Sequence, residues 1–291
     1  MKSPVGIVGL GIMGSAMAAN LIRAGYRVVG FDVLEKRRRA HRRAGGLVAG
    51  TCREVATRAG VVICSLPSSE ALLETADELT QAASPGIVIE TSTLPVDVKE
   101  RARRRLATAG AVLLDCPLSG TGSQARTRDL VVYASGDRRA YRRVAPVLDA
   151  IARAHYHVGA FGNGSKTKFV ANLLVAIHNV AAAEALGLAK AAGLDPKTTF
   201  KVLADGAGSS RMLQVRGPMM VKGDYSKALM KLSVWRKDMA IIGGFARALG
   251  VRTRLFDVTK PLYTAAERRN AREDTAAVYR VLRKVKIESR K

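Results

Sequence analysis

Three glycines, Gly9, Gly11 and Gly14, constrain this chain more than any other feature in it. They follow an apolar run, Val5 to Val8, that reads as a buried strand, and they open a helical pattern from about Met13 to Arg23. In such a unit each glycine has its own task. Gly9 makes the turn out of the strand, Gly11 removes a Cβ where a pyrophosphate would approach, and Gly14 lets helix and strand pack closely. Ile12 and Met13 then present backbone N–H groups at a helix N-terminus, where the dipole favours an anion. A second strand, Arg27 to Phe31, ends on Asp32, where a carboxylate should meet the adenosine ribose. The pattern predicts a dinucleotide-binding βαβ unit.

Alternation of strands and helices continues for about half the chain. After Asp32 comes a basic helix, Glu35 to Ala44, and a short strand, Leu47 to Ala49. Arg37 or a neighbour is placed to meet a 2′-phosphate, which keeps NADP open as a cofactor. Asp32 argues for NAD, because a carboxylate that accepts two ribose hydroxyls repels that phosphate. Val61 to Leu66 is the next strand, stopped by Pro67 and followed by a capped helix from Glu70 to Ala82. Ligands of doubly wound sheets bind at the carboxyl ends of the strands, so Leu66 and Pro67 are expected against the cofactor. Ile87 to Glu90 leads into Thr91, Ser92 and Thr93, which either face the nicotinamide or cap a helix from about Val96. Ala111 to Cys116 leads into a loop with Ser119, Gly120 and Thr121, whose hydroxyls and backbone N–H groups suit a carboxylate. Leu130 to Ala134 and His155 to Val158 read as closing strands around a helix from Arg138 to Ile151.

From Phe161 the strands stop. A helical segment of roughly 28 residues, about 40 Å long, runs from about Ser165 to Ala192. Further helices are expected over Pro196 to Ala204, Ser210 to Met220, Leu229 to Leu249, Phe256 to Arg268 and Asp274 to Val285. The chain therefore reads as two domains, 1–160 for the dinucleotide and 161–291 helical, for substrate and oligomerisation.

Composition narrows the function classes. The 291 residues are 48% apolar, enough for two cores in a soluble protein. No uninterrupted apolar stretch reaches the ~20 residues of a membrane span, and the glycine spacing argues against reading the N-terminus as a signal peptide. Cys52, Cys64 and Cys116 form no CxxC pair, so buried free thiols in a reducing cytoplasm are expected, with no metal site. The net charge of +24 is spread over both halves, +9 and +15, which favours a general cationic surface over one nucleic-acid face.

Lys168 and Asn172 stand four apart near the start of the long helix and so share a face. They follow the domain junction, where a ligand crevice is expected. Desolvation can lower a lysine's pKa and let it pass a proton near neutral pH. Asn172 would hold the substrate hydroxyl or the lysine; a solvated lysine on a helix turn is the bland alternative.

Four motifs together carry a resemblance that spans essentially the whole chain. Gly-Leu-Gly-Ile-Met-Gly from Gly9, the loop Asp115 to Gly120, the helix start Gly162 to Asn172 and Lys237-Asp238-Met239 resemble the β-hydroxyacid dehydrogenase family, which includes 3-hydroxyisobutyrate dehydrogenase and tartronate semialdehyde reductase. The resemblance implies an α/β Rossmann domain with a mainly parallel sheet, then an all-α domain joined through one long helix, in homodimers or homotetramers. It implies Lys168 as general acid and base with Asn172 as its helper. Ser119 and Gly120 would grip the substrate carboxylate, Lys237 and Asp238 would close over the nicotinamide and active site, and Leu66, Pro67 and Thr93 would line the cofactor. Where the family loop commonly has a second glycine this chain has Thr121, which adds bulk and a hydroxyl near the substrate. The expected activity is hydride transfer between a nicotinamide cofactor and a small carboxylate-bearing 3-hydroxy acid or its semialdehyde. Imine reduction and 6-phosphogluconate oxidation fit less well, given the lysine and the short helical region. The reading from another class is a non-catalytic, basic nucleic-acid-associated protein that keeps the fold as an oligomerisation platform.

Overall fold

The computed structural model describes residues 2–82 and 86–282. Contacts divide the chain into two compact units, 1–168 and 169–291.

In the first unit, alternating strands and helices follow from short, wholly apolar runs separated by amphipathic ones. In order they are β1 (Val5–Val8), α1 (Ile12–Arg23), β2 (Val28–Phe31), α2 (Glu35–Arg43), β3 (Leu47–Val48), α3 (Cys52–Arg58), β4 (Val61–Cys64), α4 (Ser69–Thr80), β5 (Ile87–Glu90), α5 (Val96–Thr108) and β6 (Val112–Asp115). The strands form one parallel sheet in the order β3-β2-β1-β4-β5-β6. Strands covered by helices on both faces need no polar alternation, and β1 and β5 are buried at every residue. One face carries Ile7, Met17, Leu21, Ile63 and Ile89, the other Val55, Val62, Leu72, Leu79 and Val88. Each such side chain contributes about 1.5–3 kcal/mol on leaving water. The strand order reverses direction between β1 and β4, and the turn after Val8 and the loop after Cys64 both leave the sheet at that switch point.

Next come β7 (Leu118–Ser119), α6 (Gly122–Arg126), β8 (Val131–Ala134), α7 (Arg138–Ile151) and β9 (Ala154–His157). The two closing strands expected from the sequence do not extend the large sheet. They pair with β7 in a separate sheet, β7-β8-β9, antiparallel then parallel. An antiparallel bridge between Asp115 and Ser135 connects the two sheets. Two short helices, α3 and α6, went unread because neither is long enough to show a period; Thr51 caps the first through Glu54 N–H at 3.1 Å.

The long helix α8 (Asn163–Ala191) starts in the first unit and continues into the second. The second unit adds α9 (Pro196–Asp205), α10 (Arg211–Lys222), α11 (Leu232–Ala248), α12 (Arg254–Arg269), a 3-10 turn over Thr275–Ala277 and α13 (Val278–Leu282). The helix read from Leu229 begins three residues later, because the N–H groups of Leu229 and Met230 are held by the Asp274 carboxylate at 2.7 and 2.9 Å. The last expected helix splits at the 3-10 turn, and its final residues, 283–285, lie outside the described ones.

Polar residues interrupt the apolar ones along α8, so no unbroken apolar stretch of about 20 residues occurs in it. By length and composition alone this helix is still long and apolar enough to cross a membrane, with a mean hydropathy of 1.6 over its best window. Asn179, near the middle of the helix, has partners within the helical unit. Asn179 Nδ2 donates to Tyr263 Oη and to the Thr275 carbonyl, both at 3.0 Å, which fits a core helix.

Candidate active site

The glycine turn has the shape a pyrophosphate requires. Gly9 adopts φ +91°, a left-handed conformation, and a Cβ there would strike the Ser65 carbonyl after β4. A Cβ on Gly14 would collide with the Gly9 carbonyl, so helix and turn touch backbone to backbone. On Gly11, by contrast, a Cβ would meet nothing within 4 Å. Gly11 is also the N-cap of α1, with no side chain capping it. The N–H groups of Ile12 and Met13 therefore begin a 12-residue helix beside open space. Such a cradle fits the anionic centre of a dinucleotide.

Asp32 is nearly buried, 4% exposed, and its carboxylate is turned into this turn. Oδ2 accepts the Leu10 N–H at 2.8 Å and an Arg37 Nη1 proton at 3.1 Å, while Oδ1 accepts the Leu34 N–H at 2.9 Å. The acid thus braces the glycine turn and is neutralised by a neighbouring guanidinium. Arg38 reaches back to the Asp32 carbonyl at 2.6 Å and lies over the Phe31 ring.

At the ends of β4 and β5, two of the three hydroxyls bond to the neighbouring strand end. Pro95 is the N-cap of α5 and no side chain caps it. Thr91 Oγ1 donates to the Cys64 carbonyl at 2.7 Å, and Ser92 Oγ accepts the Leu66 N–H at 2.8 Å. The two hydroxyls tie the strand ends together and hold the Leu66 backbone against Ser92; Thr93 is half-buried.

Ser119 ends β7, and Gly120 follows at φ +137°, where a Cβ would strike Leu130. Thr121 opens α6: its N–H donates to Gln124 Oε1 at 3.0 Å and its hydroxyl lies 2.9 Å from Ser123 Oγ. The hydroxyl expected near a substrate is thereby engaged at a helix start.

Lys168 and Asn172 lie one turn apart on α8, with exposures of 8% and 3%. Within the helical unit Asn172 Nδ2 donates to Asp238 Oδ2 at 3.1 Å, and Lys237 Nζ lies 3.5 Å from Asp238 Oδ1. The structure thus brings Asn172 to Lys237 and Asp238, more than sixty residues further along the chain. A cavity of about 340 Å³ between α11 and α12, lined by Arg236, Met239, Gly243, Lys260 and Glu267 among others, contains none of the expected site residues. All three cysteines are buried free thiols, and burial pushes Cys52 up to about 12. Among the described residues no group of acids, histidines and cysteines has the makings of a metal site.

Sequence reasoning passed over Glu90, Lys99, Ser135 and Ser165, which surround Asp115 in one buried cluster. A signal existed: Glu90 and Asp115 end two otherwise apolar strands that turn out to be neighbours in register.

Comparison with known proteins finds a family match for each half of the chain. Residues 4–159 match the model described as the NAD binding domain of 6-phosphogluconate dehydrogenase. Residues 162–282 match the one described as NAD-binding of NADP-dependent 3-hydroxyisobutyrate dehydrogenase. An L-threonate dehydrogenase of Cupriavidus necator is 35% identical over 252 residues, 85% of this chain and 84% of its own. The mitochondrial 3-hydroxyisobutyrate dehydrogenase of Rattus norvegicus is 33% identical over 71% of this chain and 63% of its own. The structure of a Mycobacterium tuberculosis 3-hydroxyisobutyrate dehydrogenase, solved with L-serine, superposes with a TM-score of 0.88 at 28% identity, covering 97% of this chain and 100% of that one.

Proposed function

The chain belongs to the β-hydroxyacid dehydrogenase family, and on that premise we propose that it oxidises a small 3-hydroxy acid, or reduces the semialdehyde, with a nicotinamide dinucleotide. The observation that carries this reading is the pair Lys168 and Asn172, polar, buried and one turn apart on α8, with Asn172 fixed by Asp238. A buried polar pair held in this way has a use beyond solvation.

Residues 1–160 form the dinucleotide domain and 161–291 the domain for substrate and oligomerisation. Gly9, Gly11, Ile12, Met13 and Gly14 hold the pyrophosphate, and Asp32, Leu66, Pro67, Thr93 and Lys237 line the rest of the cofactor. When bound, the nicotinamide ring supplies or accepts the hydride. Lys168 takes the hydroxyl proton during oxidation and returns it during reduction. Asn172 orients that hydroxyl, and Asp238 keeps Asn172 in place. Ser119, Gly120 and Thr121 hold the substrate carboxylate. Arg37 offsets the charge of Asp32, so the chain takes NAD and tolerates NADP.

α8 exposes Val170, Leu174 and Leu188, a recurring apolar stripe that fits a second copy of the chain in a homodimer or homotetramer. Free buried thiols fit a reducing cytoplasm. The nucleic-acid reading finds no support in the relatives named above.

The test is a panel containing L-threonate, 3-hydroxyisobutyrate, other small hydroxy acids and their semialdehydes, followed by nicotinamide absorbance. Turnover of at least one member is expected, and a silent panel with both dinucleotides would refute the assignment. Light scattering before and after Leu174→Glu with Leu188→Glu tests the assembly; an unchanged mass removes α8 from the interface.

A further inference from the structure

Glu90 and Asp115 end β5 and β6 side by side and are completely buried. Two carboxylates in that position repel each other strongly unless a cation stands with them. Lys99, from the first turn of α5, provides it. Its Nζ lies 2.5 Å from Glu90 Oε2 and 2.8 Å from Asp115 Oδ1, and donates to the Ser92 carbonyl at 2.6 Å. Burial by itself would lower the pKa of this ammonium, but Asp115 and Glu90 outweigh it and raise it. By formal charge, two carboxylates and one ammonium leave one excess negative charge.

That charge is directed at the start of α8. Asp115 Oδ2 accepts the Ser165 N–H at 2.7 Å, and Oδ1 accepts the Ser165 hydroxyl at 2.8 Å. Ser135 Oγ accepts the Gly164 N–H at 2.9 Å and itself lies 3.2 Å from Asp115 Oδ2. An anion at a helix N-terminus also meets the positive end of the helix dipole. Gly164 packs so closely that a Cβ would run into the carbonyls of Tyr133 and Asp115. The first turn of α8 is therefore held in height and in rotation by groups on β6 and β8. Lys168 stands three residues after Ser165, about 4.5 Å further along the axis and close to the same side.

We propose that Glu90, Lys99, Asp115, Ser135 and Ser165 form a positioning device that sets the height and rotation of α8 at Lys168, and with them the rate of proton transfer. This rests on the reading of Lys168 as the acid and base of the reaction. None of the five touches the reacting atoms in this account; they act through the helix. A displacement of about 1 Å at a reacting group is enough to cost up to ~10²-fold in rate.

Ser165→Ala tests it, since the backbone contact to Asp115 survives while the hydroxyl is lost. The wild type, Ser165→Ala, Ser165→Thr, Ser135→Ala and Val55→Ala, a cavity on the sheet face that packs Val62 and Leu72, are compared at matched fraction folded. Turnover of Ser165→Ala and Ser135→Ala should fall about 10-fold, with dinucleotide Kd and substrate KM within about 2-fold. The solvent deuterium isotope effect on kcat, which reads the exchangeable proton that Lys168 carries, should rise as proton transfer becomes limiting. Ser165→Thr should recover most of the rate, and Val55→Ala should lose stability without losing turnover. If both serine variants keep wild-type turnover and isotope effect, or behave as Val55→Ala does, the positioning device is refuted while the enzymatic reading stands. A wild type inactive on the whole panel overturns both.

Discussion

Each unit buries a cluster of acidic and basic side chains, and the two are built differently. In the sheet unit two carboxylates share one ammonium, and the surplus charge is used on a helix start. In the helical unit Asp274 faces, among the described residues, one cation, Arg216 Nε at 3.1 Å, and accepts backbone N–H groups from Leu229, Met230 and Ala276 and the Thr275 hydroxyl at 3.4 Å. That second cluster is charge-balanced and fastens the segment before α11 to the segment before α13. The contrast separates two uses of buried charge. Balanced pairing closes a connection between helices; an unbalanced group holds a neighbouring element in one orientation.

The largest effect expected from breaking this contrast falls on stability. Arg216→Met leaves Asp274 buried without its cation and should cost about 3–5 kcal/mol in urea unfolding, while turnover per folded molecule stays within about 2-fold. A loss below about 1 kcal/mol would mean the backbone donors alone carry Asp274. Next comes Lys168→Ala, which should lower turnover by roughly 10² or more and leave dinucleotide Kd nearly unchanged. Near-normal turnover would take Lys168 out of the mechanism and leave the sheet-unit cluster with a purely structural part.

Alkaline pH sharpens the comparison further. Burial, aided by Glu78, pushes the Cys52 thiol up to about 12, and burial also raises Cys64 and Cys116, all in the sheet unit. An unfolded thiol ionises near 8.5. Between that value and the folded one the unfolded chain has released a proton that the folded chain keeps, so stability falls as pH rises. The slope approaches about 1.4 kcal/mol per pH unit for each thiol. In the helical unit Tyr263, raised by burial to about 12, adds its loss only above about pH 10, the ordinary tyrosine value. Urea unfolding at pH 8, 9 and 10 should therefore show a decline that Cys52→Ala makes shallower. Identical slopes for the two proteins would contradict it. The smallest effect belongs to Thr121→Ala, about 1 kcal/mol from a weakened start of α6. A rise in substrate KM beyond that loss would show that the hydroxyl also meets the substrate.

Much of the sheet unit was legible because its strands are buried on both faces. Val5–Val8 and Ile87–Glu90 stand out as apolar runs whose limits the structure repeats, and Arg138–Ile151 shows a strong helical period. The glycine turn was readable for the same local reason, since Gly9, Gly11 and Gly14 act within six residues of one another. Other features depended on partners far along the chain. Nothing near Ser165 announces Asp115, and nothing near Asn172 announces Asp238. Asp32 was read as facing a ribose, and only the folded turn brings the Leu10 N–H and the Arg37 guanidinium onto its oxygens.

The sequence by itself determined the order of elements, the parallel arrangement that βαβ alternation enforces, and the cradle at the start of α1. Those follow from side-chain period and from glycine geometry, which act over a few residues. Tertiary structure alone decided that β8 and β9 leave the large sheet, that Glu90 and Asp115 become neighbours needing Lys99, and that Asp115 meets the start of α8. Ionised groups interact through space, so their balance is known only once the chain has brought distant residues within a few ångströms.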